Sequence, residues 1–243
     1  MDFSQTLIRC SSLGKIMTNP KNKGDIEAGN LSETAKSHLI DIYIYNKYGR
    51  KTDFTNKYVE KGLMVEEDSL TLYSLIKKGF FKKNDKRLQN NYIIGTPDTF
   101  IGEEIELAEE IIDIKSSWDI FTFFKTFGKE INSDYYWQLQ GYMGLSGAKK
   151  ASLAYCLVNT PETLINDEKR RLMYKMNAGT EENPDYVKAC EELDFSLKYD
   201  DIPMKNRLLE YTIERNEEDI VRIYSKVKKC REFLAKLDIE LNK

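Results

Sequence analysis

The segment Gly95-Thr96-Pro97-Asp98-Thr99-Phe100-Ile101-Gly102-Glu103-Glu104-Ile105-Glu106-Leu107-Ala108-Glu109-Glu110-Ile111-Ile112-Asp113-Ile114-Lys115 decides the fold. Gly95-Thr96-Pro97 bends the chain after the apolar Tyr92-Ile93-Ile94, since proline suits a strand edge or bulge rather than a strand centre. Asp98–Ile101 and Glu109–Lys115 read as strands, with a turn at Gly102-Glu103 between them. If the two strands pair, Asp98 sits across from Asp113. Alternation along the second strand sends Asp113 and Lys115 to one face and Ile112 and Ile114 into the core.

Outward from this hairpin the pattern turns helical. Leu63, Val65, Leu70, Leu72, Leu75 and Ile76 predict a helix over about 57 to 78, carrying Glu66 in Gly62-Leu63-Met64-Val65-Glu66-Glu67. Earlier, Arg9–Met17 reads as a cap and short helix followed by a polar loop to Gly29. Asn30 with Glu33 suggests a capped helix through Ala35, Leu39, Ile40, Ile42 and Tyr43. Downstream come an aromatic helical stretch from Trp118 to Phe127 and a helix capped at Asn132 or Ser133 and ending near Gly147. A buried strand from Ala151 to Val158 follows. Residues 162 to 203 are charged and mostly helical, Met204 to Ile213 suggests a late strand, and a long helix starts at about Asn216. The order helix, three strands, helix, strand is α/β or α+β with a mixed sheet, not a regular βαβ alternation.

With 243 residues the chain can bury a substantial core as one domain with elaborations. It has no apolar run near the roughly 20 residues a membrane span requires. The start Met1-Asp2-Phe3-Ser4-Gln5 lacks a signal-peptide pattern, so the expectation is a cytoplasmic protein. Cys10, Cys156, Cys190 and Cys230 are too scattered for a zinc site or a disulfide framework. His38 is the one histidine, which disfavours a Ser-His-Asp triad and a His-rich metal site. Net charge is −3, so any grip on nucleic acid must come from local patches. One such patch is Lys77-Lys78-Gly79-Phe80-Phe81-Lys82-Lys83-Asn84-Asp85-Lys86-Arg87, which interleaves cations with aromatics. A solvated loop is the equal alternative.

Four polar signals in fixed order carry the chemistry: Glu66, Asp98, Asp113 with Lys115, and Gln138-Leu139-Gln140-Gly141-Tyr142. Two carboxylates brought together raise each other's proton affinity, and a divalent cation resolves the repulsion. Oxygen-only ligands point to Mg²⁺, with Mn²⁺ as a substitute, rather than Zn²⁺. Lysine would handle water or phosphate. Gln138 and Tyr142, four apart, share one helix face from which they can orient the acids. Singly, Asp98 reads as a turn acid, Asp113 and Lys115 as a solvated strand end, and Glu66 as an exposed helix face with Glu67 as competitor. Tyr135, Tyr136, Trp137 and Tyr142 can simply be core. Ser11, Ser12 and Lys15 can cradle a terminal phosphate, although capping explains the serines as well.

In combination, Gly-x-x-Asp, Asp-x-Lys and Gln-x-x-x-Tyr resemble the PD-(D/E)XK nuclease superfamily, the last element being similar to its RecB-like branch. Gly62-x-x-x-Glu66 and Ser11-Ser12-Leu13-Gly14 resemble the phage lambda exonuclease and YqaJ-type viral recombinases. The resemblance covers residues 9 to 158, with a looser echo in the C-terminal strand and helix. It implies a restriction-endonuclease-like αβββαβ core at about 57–158, a central mixed sheet flanked by helices, and elaborations at 9–56 and 204–243. It further implies a Mg²⁺-dependent exonuclease working 5′ to 3′ on duplex DNA ends in phage-type recombination or replication. Asp98, Asp113 and the Ile114 carbonyl would be metal ligands with Glu66 beside them. Lys115 would activate water, and Gln138 with Tyr142 would support the site. DNA contacts would come from Ser11, Ser12, Lys15, Lys82, Lys83, Lys86 and Arg87. A homo-oligomeric ring, a trimer, and a single-strand annealing partner are also implied. Asp113 departs from the exonuclease branch, which usually has Glu there, and leans toward the RecB type. The cysteine spacing does not fit the iron–sulfur cluster of some RecB-like relatives. Two rivals stay open: an endonuclease or repair nuclease with the same site, and a non-catalytic DNA-binding scaffold.

Overall fold

The computed structural model describes residues 2–51 and 56–242. The expected elaborations at 9–56 and 204–243 therefore lie partly outside the described residues, as does Met1.

The N-terminal half is mainly helical. β1 (Ile8–Arg9) leads through a 3-10 turn at Cys10–Ser12 into α1 (Leu13–Met17), followed by α2 (Lys23–Glu27) and α3 (Glu33–Tyr48). The α3 cap is Ser32, whose hydroxyl accepts from the Ala35 amide at 3.0 Å. The expected Asn30 instead donates from its side chain to Asp25 at 2.9 Å. The helix starts later than the Asn30–Glu33 spacing suggests.

The helix expected over 57–78 is two, α4 (Lys57–Met64) and α5 (Glu66–Lys77). They meet at Val65, which leaves helical geometry at φ −111°, ψ 19°. The break lets Val65 bury against Leu72, Cys156 and Val158. It also exposes a fresh helix N-terminus to Glu66, Glu67 and Asp68, the acids its dipole favours. Glu66 thus stands at a helix start rather than inside one.

After the basic connector come β2 (Leu88–Gln89), β3 (Ile93–Gly95), β4 (Thr99–Ile101) and β5 (Glu110–Ser116). A crossover through α6 (Ile120–Phe124) and α7 (Ser133–Ser146) returns to β6 (Lys150–Cys156). α8 (Glu162–Met176) and α9 (Pro184–Leu197) form a side hairpin before β7 (Leu208–Glu214) and α10 (Glu217–Leu241). Met204–Asn206, expected in the last strand, forms a 3-10 turn after Pro203.

The main sheet runs β4-β5-β6-β7, with β5 and β6 parallel and both outer pairings antiparallel. The helix–strand–helix–strand order matches the expected core, but β3 pairs in a separate small sheet with β1 and β2. The sheets part at Thr96-Pro97, where proline offers no N–H to continue a ladder.

On one face of the main sheet, α7 covers Ile111, Ala151 and Leu153 with Leu139 and Met143, and α10 packs on α7 and adds Val227 to the same core. On the other, α5 covers Ile112 and Ala154 with Tyr73. β5 is therefore covered on both faces, which explains the run Ile111-Ile112 where a half-exposed strand would alternate. α7 is capped by the Asn132 side chain, which accepts from Asp134 N at 2.8 Å. It stops at Gly147, whose φ of +82° suits glycine at a helix C-terminus. Among the described residues no helix is long and apolar enough to cross a membrane.

Candidate active site

Strand pairing brings the acids together. Thr99 pairs with Ile112 and Phe100 with Ile111, so continuing that antiparallel register by one residue sets Asp98 opposite Asp113. Asp98 has left the ladder, and its carboxylate accepts from the Ile114 amide at 2.7 Å. Asp113 faces α7 and is only 1% exposed. Its Oδ1 accepts from Gln138 Nε2 at 3.1 Å, and its Oδ2 lies 2.6 Å from Lys115 Nζ. Beyond that ion pair Oδ2 has no hydrogen-bond partner among the described residues. Lys115 projects on the Asp113 face as strand alternation requires, its ammonium 5.4 Å from the centre of the Tyr135 ring.

Electrostatics follow from this crowding. Burial first, then the Asp113 charge, push the Asp98 carboxyl up to about 7; Lys115 and the Ile114 amide act against the rise. Burial pulls Lys115 down, but Asp113 and Asp98 more than offset it, leaving the ammonium above its ordinary range. Lys115 is a cation at neutral pH.

The helix carrying Gln138 and Tyr142 is fixed residue by residue. Gln138 Nε2 also donates to the Tyr142 hydroxyl at 3.0 Å, which in turn donates to the Thr96 carbonyl at 3.3 Å. One relay therefore ties Asp113 to the loop that delivers Asp98. Burial and the nearby Asp113 charge raise the Tyr142 hydroxyl above its ordinary range, so it stays protonated. Gln140 turns the other way, donating to the Glu214 carbonyl at 2.8 Å and accepting from Asn216 N at 2.9 Å. Gly141 faces Leu13 and Cys10, and Gly95 faces Tyr142 and Cys10. A Cβ on Gly95 would lie 2.6 Å from a Tyr142 ring carbon and 2.9 Å from Cys10 Sγ. Both glycines are close-approach residues that let α7 sit near enough for Gln138 to reach Asp113.

A cleft of about 520 Å³ opens on this cluster, lined by Glu66, Asp98, Ile114 and Lys115 among others. Glu66, not the exposed Glu67, faces it, and Lys83 of the basic connector pairs with Glu66 at 2.9 Å. The connector is pinned beside Asp98: Asn84 N donates to the Asp98 carbonyl at 2.8 Å, and Asn84 Nδ2 to the Pro97 carbonyl at 2.9 Å. Lys82 and Arg87 are exposed, and Lys86 pairs with Glu106 at 2.5 Å. Ser11 and Lys15 are also exposed, whereas Ser12 lines a second cleft away from the acids.

The cleft walls escaped sequence reasoning. Tyr58 comes from α4, Trp118, Thr122 and Thr126 follow β5, Tyr135 lies on α7, and Tyr155 on β6. Only the last had a usable signal: a parallel β5–β6 register sets Lys115 opposite Tyr155. Behind Trp118 lies another missed residue, the fully buried Lys61, which donates to the Trp118 carbonyl at 2.8 Å. Burial pushes its ammonium down to about 7.

Among the described residues no group of three or more His, Cys, Asp or Glu side chains forms a ready metal cage. The donor set is narrower: two carboxylates, the Ile114 carbonyl, and Glu66 at the edge of the cleft. That suits an ion that keeps several waters and takes one or two carboxylates. The raised Asp98 carboxyl and an Asp113 Oδ2 that accepts no hydrogen bond among the described residues are what a divalent cation would relieve.

No protein-family profile matches the chain. No curated protein matches it in sequence. Among solved structures, a phage-related exonuclease from Haemophilus somnus 129PT is similar over 98% of this chain and 97% of its own, at 29% identity and a TM-score of 0.75. An alkaline exonuclease from Laribacter hongkongensis, LHK-Exo, is similar over 98% of this chain and 91% of its own, at 15% identity and a TM-score of 0.61. LHK-Exo is also known in complex with dAMP. The second likeness speaks for the fold alone. The chain therefore has the fold of phage-related and alkaline exonucleases, and its likeness to the Haemophilus somnus protein supports a nuclease function.

Proposed function

We propose that this chain is a metal-dependent DNA exonuclease of the PD-(D/E)XK type that removes nucleotides from duplex ends, working 5′ to 3′. One observation carries the reading: Asp98 and Lys115 line one cleft with Asp113 buried directly behind Lys115, on a fold shared along nearly the whole length of a phage-related exonuclease.

Asp98, Asp113 and the Ile114 carbonyl would hold Mg²⁺ or Mn²⁺, with Glu66 beside them. The ion would supply Lewis-acid stabilisation of phosphoryl charge and a lowered pKa for a bound water. Gln138 holds Asp113 in one rotamer, so the carboxylate is preorganised rather than gathered at the moment of reaction. Lys115, a cation packed by Tyr135, orients the attacking water and offsets charge on the phosphate. Lys83, next to Glu66, places a second cation at the rim where the strand must pass. Raised in affinity for protons, Asp98 is the group through which pH would compete with metal.

The test is digestion of linear duplex DNA against closed circular DNA, with Mg²⁺ or EDTA. Metal-dependent loss of the linear form alone supports the exonuclease; nicked or cut circles would replace it with an endonuclease.

A further inference from the structure

A second cleft, of about 480 Å³, lies between the segment leading into β1 and the outer side of α3. Three cations line it: Arg9, Arg50 and Lys51. Among the described residues none of the three has an ion-pair partner; Lys51 instead lies 4.8 Å from the centre of the Tyr45 ring. Among the described residues Asp41 is the single acid in the lining. Gln5, Ser12 and Asn46 add neutral donors. His38 lines the same cleft, its Nε2 without a hydrogen-bond partner among the described residues.

Position links this cleft to the acids. Arg9 pairs with Ile94 across parallel strands, and Asp98 follows four residues later. One strand spacing and four residues of chain place the Arg9 and Asp98 backbones within about 20 Å. A strand of B-DNA advances about 3.4 Å per phosphate, so the interval spans no more than roughly six nucleotides.

We propose that this cleft is a second phosphate site, gripping the DNA backbone a few nucleotides from the bond under attack. Resting on the DNA-nuclease reading above, it adds a contact that stays with the substrate while its end is processed. Arg9 and Arg50 offer planar forks that match phosphate oxygens, and Lys51 offers a point charge.

The experiment measures binding of a fluorescent duplex by anisotropy in EDTA, across a salt series, so that no cleavage intervenes. Arg9→Ala/Arg50→Ala/Lys51→Ala is compared with wild type and with the charge-preserving Arg9→Lys/Arg50→Lys/Lys51→Arg. Loss of three phosphate contacts is expected to flatten the slope of log K against log salt by about 2 to 3, at roughly 0.9 per contact. The charge-preserving variant should keep the wild-type slope. Equal affinity and slope in wild type and the alanine variant would overturn the site while leaving the nuclease reading intact. Absence of binding by wild type in EDTA would overturn the site, while the nuclease reading is decided separately by the digestion with Mg²⁺. A competition arm uses dAMP: a mononucleotide that flattens the wild-type slope as the alanine variant does would make this a free-nucleotide pocket and overturn the strand contact.

Discussion

Gly95→Ala tests whether the close approach of α7 builds the site. Gly95 has no positive φ, so its backbone conformation admits alanine, and removing a strand glycine by itself favours folding by about 0.5–1 kcal/mol. The added methyl, however, would lie 2.6 Å from Tyr142 Cε1, 2.9 Å from Cys10 Sγ and 3.1 Å from Cys10 Cβ. Carbon pairs prefer about 3.5–4 Å, and both neighbours are packed on every side. Overpacking of this kind costs about 1–3 kcal/mol, so the net expectation is a loss of up to about 2.5 kcal/mol, centred at about 1 kcal/mol. Relief must come from the Tyr142 ring, whose hydroxyl bridges Gln138 and Thr96, so strain there is passed to Asp113. A shift approaching 1 Å at a positioned group costs up to about a hundredfold in rate, and a ten- to hundredfold fall in kcat is expected. Urea unfolding and single-turnover cleavage read the two effects. The double variant Gly95→Ala/Tyr142→Leu should recover part of the stability but not the rate. A Gly95→Ala protein as stable and as active as wild type would refute the argument.

Further outcomes follow from the same geometry. Gln138→Leu leaves Asp113 Oδ1 buried without its donor, which should cost about 1.5–3 kcal/mol in urea unfolding and weaken Mn²⁺ binding by about 10–100-fold in calorimetry. Asp98 holds its proton up to about 7, whereas the unfolded chain releases it near 3.8. Between those values the folded state binds more protons, so the Asp98 contribution to metal-free stability declines as pH rises; melts in EDTA from pH 5 to 8 should show a slope that Asp98→Asn removes. Mn²⁺ affinity should move oppositely, strengthening as pH rises through 7. Lys61, lowered to about 7, gives its proton up in the folded state first, so its contribution rises with pH above 7; Lys61→Met should abolish that gain while keeping the fold, as read by melts from pH 7 to 9.

Legibility in the sequence tracked how local the determining physics was. The strand ending at Asp113 and Lys115 showed itself through Ile111-Ile112, and α7 through the cap at Asn132 and the stop at Gly147. These are signals within a few residues of what they specify. The α4–α5 break was invisible because Val65 fits a helical stripe; what breaks the helix is the chance to bury that side chain against Leu72, Cys156 and Val158. β1 and β2, two residues each, are too short to show a period. In the site, the order of Asp98, Asp113, Lys115, Gln138 and Tyr142 marked residues that the fold does bring together. The walls did not read: Tyr135 can be core by its pattern, Trp118 belongs to an aromatic helical stretch and Tyr155 to a buried strand, and only the crossover to β6 decides which aromatics face Lys115. Nor did the spacing of Ser12 from Asp98 reveal that the two open into different clefts.

The central claim is that Asp98, Asp113 and Lys115 hydrolyse DNA from its ends with a divalent metal. Linear duplex labelled at either the 5′ or the 3′ end, digested with Mg²⁺ or EDTA by wild type and by Lys115→Ala, tests it directly. Early release of the 5′ label as mononucleotide, abolished by EDTA and lowered at least a hundredfold by Lys115→Ala, is the predicted result. Cleavage that persists in the folded Lys115→Ala protein, or none by wild type with Mg²⁺ or Mn²⁺, would contradict the account.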